Sequence, residues 1–100
     1  MHPKDITEII GGKKYSTKTA TLIADNEYWD GSNFERNGRN CFLYRTSNGA
    51  YFTVNLTQWQ GERDSLTPIT QAEALELYET LPEHHVPYEQ AFPDVKVLEA

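Results

Sequence analysis

Cysteine is almost missing from this chain. Cys41 is the one thiol in 100 residues, so no disulfide can close within it, and a reducing, cytoplasmic setting is expected. Long apolar runs are missing too: none approaches the roughly 18–20 residues that span a bilayer. The opening "MHPKDITEII" has no basic region followed by a long apolar stretch, so no signal peptide is expected. Gly11-Gly12-Lys13-Lys14 has neither the length nor the Ser/Thr of a phosphate-binding loop. His2, His84 and His85 are the only histidines, and with Cys41 they offer no metal-ligand spacing, so neither metal nor cofactor is expected. Nothing near Cys41 in sequence could draw off its proton. Carboxylates abound, but a general acid needs one held at raised pKa in a dry pocket. No catalytic residue is assigned, and an enzyme is not expected.

Bases are scarce as well, nine against fifteen acids, for a net charge of −6. The imbalance is uneven. Residues 1–61 hold six acids and seven bases, whereas residues 62–100 hold nine acids against Arg63 and Lys96. Such a chain is repelled by nucleic acid and anionic membranes and attracted to basic protein surfaces. Lys13, Lys14, Lys18, Arg36, Arg39 and Arg45, with Tyr44, Tyr51 and Trp59 for stacking, offer partial support for nucleic-acid binding. Their half of the chain nets only +1, far from the basic footprint such binding needs. A chain of this length forms one domain, residues 1–100, with the tail from about 93 loosely attached.

What is present reads as a small α+β fold: an antiparallel sheet of three to five strands packed against one or two helices. Gly11-Gly12 suits a tight hairpin turn. In "STKTATLIAD", Ser16 or Thr17 can cap a helix whose apolar face is Ala20, Ile23 and Ala24. "CFLYRTSNGAYFTVNL", residues 41–56, reads as a β-hairpin. A three-residue Ser47-Asn48-Gly49 loop groups Phe42 and Tyr44 with Phe52, Val54 and Leu56 on one apolar face. Cys41, Leu43, Arg45, Tyr51, Thr53 and Asn55 then face the other way. "LTPI" fits a short edge strand, since Pro68 cannot donate to a ladder. Thr70-Gln71-Ala72-Glu73 is a capping box opening an amphipathic helix over 71–81 that Pro82 ends. "VPYEQAF" forms one more turn, and "PDVKVLEA" is a tail with room for a short strand.

On the 71–81 helix, Glu73, Glu76 and Glu79 step by three, roughly opposite Ala74, Leu77, Tyr78 and Leu81. Glu83 follows, and Glu62 and Asp64 precede the helix. Like-charge steps and an acid near the helix C-terminus each cost tenths of a kcal/mol. These six acids are the candidate partner-binding face. Arg45 and Tyr51, on the outward hairpin face, are a secondary candidate for a small ligand or peptide.

Three segments also carry a resemblance: "GGKKYSTKTATLIA", "LYRTSNGAYF" and "LTPITQAEALELYE". Lys14-Tyr15-Ser16-Thr17-Lys18-Thr19-Ala20, and Leu43-Tyr44-Arg45-Thr46 with Gly49, Tyr51 and Phe52, resemble a family of small acidic proteins of phages and other mobile elements. The resemblance spans about residues 11–81. Such proteins often inhibit host defence, and anti-CRISPR proteins are similar in size, charge and lack of catalytic motifs. The resemblance implies an inhibitor that occupies the basic nucleic-acid channel of a CRISPR effector in the host cytoplasm and blocks DNA.

Overall fold

The computed structural model describes residues 5–25, 39–57 and 65–95. Its elements run β1 (Thr7–Ile10), β2 (Lys13–Ser16), β3 (Thr21–Asp25), β4 (Arg39–Arg45), β5 (Tyr51–Thr57) and β6 (Ser65–Ile69). Helix α1 (Gln71–Thr80), strand β7 (Glu83–His84) and helix α2 (Tyr88–Ala91) follow. β1 and β2 form a two-stranded ribbon, and the other strands make a five-stranded antiparallel sheet in the order β6-β5-β4-β3-β7. The fold is α+β, as the sequence pattern predicts.

The β4–β5 hairpin is the centre of that sheet. Tyr44 lies opposite Phe52 and Phe42 opposite Val54, the register of a three-residue loop. Thr46 N–H donates to the Ala50 carbonyl at 2.8 Å and Gly49 N–H to the Thr46 carbonyl at 3.0 Å, with Gly49 at φ 86°. Only glycine takes that left-handed position without strain.

Both faces of the hairpin are buried. On one, Phe42, Tyr44, Phe52, Val54 and Leu56 pack with Leu66 and with Tyr15 of the ribbon. Tyr44 stacks on Phe52 with centroids 5.1 Å apart, and Tyr15 meets Phe52 edge-on. On the other, Leu43 and Tyr51 pack with Ala74, Tyr78, Leu81, Ala91 and Phe92. The expected outward face is therefore covered. Only Thr70 separates β6 from α1, so the helix must fold straight back across β4 and β5. α2 then closes over Tyr51, whose hydroxyl donates to the Ala91 carbonyl at 2.7 Å.

The helix expected after Ser16 is instead a turn and strand β3. Ser16 closes a turn, its Oγ accepting from Lys18 N–H, while Thr17 Oγ1 accepts from Ile6 N–H at the start of the ribbon. The i, i+3, i+4 spacing marks no single face: Ala20 packs on the ribbon-side core, and β3 has a β-bulge between Leu22 and Ala24. The bulge puts Ile23 and Ala24 together on the helix-side core, while Leu22 packs on the other side. Strand β7 was not anticipated: two residues pair with Ala24 and Asp25 at the sheet edge. The opposite edge is β6, and Pro68 lies on it as predicted. In the tail, Val95 packs on the helix-side core and 93–95 form no strand; residues 96–100 lie outside the described residues.

Candidate functional site

The acidic row begins at the start of α1, where the capping box forms as expected. Glu73 N–H donates to Thr70 Oγ1 at 3.2 Å, and Glu73 Oε1 accepts from Thr70 N–H at 3.0 Å and its hydroxyl at 3.1 Å. These bonds, the backbone one first, hold the Glu73 carboxyl below the usual glutamate range. Glu73 is thus already employed in holding the helix. Glu76 and Glu79 are exposed and form no ion pair among the described residues, and no base stands in the last turn of α1.

Glu73 and Glu76 border a groove of about 480 Å³ between α1 and the sheet. Ile69 and Leu77 give it apolar wall, and Cys41, Thr53 and Asn55 line it from the strands. The Cys41 thiol is pushed up to about 11, first by burial and then by the charge of Asp25. At neutral pH it is protonated, which makes it a poor nucleophile and a poor metal ligand. Among the described residues no three His, Cys, Asp or Glu side chains converge to hold a metal ion.

Glu83 is separated from this row. It lies half-buried on β7 with Asp25 as its strand partner, beyond the turn that ends α1. Glu62 and Asp64 lie outside the described residues. The secondary pair fares differently from its expectation. Tyr51 is 4% exposed and sandwiched against Phe92 at 5.2 Å, so it is a core residue with no free face. The guanidinium of Arg45 lies 6.0 Å above the Tyr51 ring, and its Nε is buried without a hydrogen-bond partner among the described residues. Around Tyr51 the outward hairpin face is thus closed, while its Cys41, Thr53 and Asn55 line the groove beside α1.

One pairing was invisible in the sequence. Asp25, 1% exposed, accepts from His85 Nε2–H at 2.6 Å, with the His85 side chain 43% exposed. His84 turns the other way, stacking 4.0 Å from the Tyr78 ring and donating from Nε2 to the Tyr78 carbonyl at 2.6 Å. The two histidines are pinned rather than free in a solvated loop. Sixty residues separate Asp25 from His85, and no local pattern links them. No described helix is long and apolar enough to cross a membrane. No family model, curated protein or solved structure matches the chain.

Proposed function

We propose that the protein is a non-enzymatic inhibitor whose acidic α1–α2 side occupies a basic nucleic-acid-binding surface of a host defence complex, in the manner of anti-CRISPR proteins. One observation carries the reading. Residues 65–95 hold six acids, Glu73, Glu76, Glu79, Glu83, Glu89 and Asp94, and no Lys or Arg. Glu76 and Glu79 lie exposed with no cation to neutralise them among the described residues. A rigid helix presenting spaced carboxylates can stand in for backbone phosphates against Arg- and Lys-lined channels. The burial of Tyr51 weakens the rival reading of a ligand on the hairpin face.

The test starts with capture of a partner from host lysate at low salt, followed by purification of that partner. Glu76→Lys with Glu79→Lys leaves the Thr70–Glu73 cap intact and reverses the charge of the exposed acids. The double variant should lose at least about 1.4 kcal/mol of binding, tenfold in affinity. Target DNA should compete with the wild type. Equal binding by variant and wild type at low salt, or no competition by DNA, sinks the proposal.

A further inference from the structure

On the ribbon side of the sheet, the tip of β1–β2 meets the β4–β5 loop in a cleft of about 570 Å³. Its chemistry is the reverse of the α1 groove. Among the described residues no carboxylate lines it, although the chain carries a net −6. Lys13 and Lys14 border it, both exposed and neither paired with a described acid. From the facing loop come Ser47 and Asn48, whose hydroxyl and amide make no hydrogen bond with a described residue.

The frame around these groups is fixed by backbone. Gly11 and Gly12, at φ 60° and 78°, make the two-residue turn that sets Lys13 opposite Ile10. On the other wall, Thr46 Oγ1 accepts from Ala50 N–H at 3.0 Å and holds the loop closed. The Tyr15 ring, seated on Phe52, anchors the ribbon to the sheet between them. The volume falls in the range of roughly 300–1,000 Å³ typical of small-molecule sites and far exceeds the need of a bare ion.

We propose that this cleft binds a phosphate-bearing small molecule, with Lys13, on the Tyr15 face of the ribbon, neutralising the phosphate oxygens. Lys14 adds charge from the other face, and Ser47 and Asn48 donate hydrogen bonds. Lysine acts here as a compact point charge, a common phosphate partner. Because the cleft and α1 lie on opposite faces of the sheet, this site stands or falls apart from the acidic side.

The experiment is an amide-resolved NMR titration of the full chain with ATP, adenosine and inorganic phosphate at matched ionic strength. ATP should shift the amides of Lys13, Lys14, Ser47 and Asn48 saturably, and adenosine should not. Tighter binding of ATP than of phosphate assigns a nucleotide-like ligand, and equal binding assigns the free anion; either supports the site. Lys13→Glu with Lys14→Glu should weaken binding by about tenfold or more, equivalent to about 1.4 kcal/mol. Ser47→Ala with Asn48→Ala, in an exposed loop, serves if the lysine variant fails to fold. No saturable shift with ATP or phosphate at about 10 mM, or shifts unchanged in both double variants, overturns the proposal.

Discussion

Tyr51 shows how one hydroxyl decides the status of a surface. Its ring is core on the helix side, and its O–H satisfies the Ala91 carbonyl at the end of α2. Tyr51→Phe keeps the packing and leaves that carbonyl unpaired, so it should cost about 1–2 kcal/mol in chemical denaturation. A cost near zero would mean that water replaces the bond. Cys41 offers a second check. Its folded pKa of about 11 lies above the ordinary 9.0, so the fold prefers the protonated thiol. That preference is fully present below pH 9 and is lost as pH rises through about 11. Reaction with a thiol reagent should therefore be slow at pH 8, accelerate towards pH 11 and become fast at pH 8 in denaturant. Rapid labelling of the native protein at pH 8 would contradict the assignment.

At the scale of elements, the sequence is legible where one local rule dominates. The Ser47-Asn48-Gly49 loop with its uniformly apolar face fixes the hairpin register, and Thr70 with Glu73 fixes the start of α1. β3 is illegible because its bulge sets Ile23 and Ala24 on one side and breaks the strand's alternation, a feature visible only once β4 is alongside. The second face of the hairpin is illegible for a related reason: Cys41, Arg45, Thr53 and Asn55 alternate with Leu43 and Tyr51 and look half-polar. Only the short link through Thr70 brings a helix over them. Of the candidate site, the exposed acids were legible from their spacing. The dual use of Glu73 followed from the same capping box, and the Asp25–His85 pair followed from nothing local. The hairpin turn makes its own prediction. Gly49→Ala forces a side chain into a left-handed position, with its Cβ 3.4 Å from Arg45 Nη2. It should lower stability by about 1–2 kcal/mol in urea titration without changing the fold. A neutral result would show that the loop relaxes to another turn type.

Across the whole molecule, charge and topology run together. The described lysines lie on the ribbon and in the turn after it, and the acids of 65–95 lie on the helices, on β7 and in the turn after α2. The stretch 65–95 on the helix side thus carries acids without Lys or Arg, whereas the ribbon side mixes Lys13, Lys14 and Lys18 with Asp5 and Glu8. The two cores lie back to back across the sheet, and its central β4–β5 hairpin lends Phe42, Phe52 and Val54 to one and Leu43 and Tyr51 to the other.

That shared position has a kinetic meaning. The hairpin closes over three loop residues, while the Tyr51–Ala91 contact spans forty, so the hairpin is the least costly nucleus and either core condenses on it. Phe52→Leu should slow refolding, whereas Ala74→Gly should chiefly speed unfolding, a contrast that stopped-flow chevrons resolve. Should Ala74→Gly slow refolding as much as Phe52→Leu does, the helix already stands in the transition state. If the contrast holds, the hairpin and the ribbon-side core form first, and the helix side is laid on a sheet that already stands.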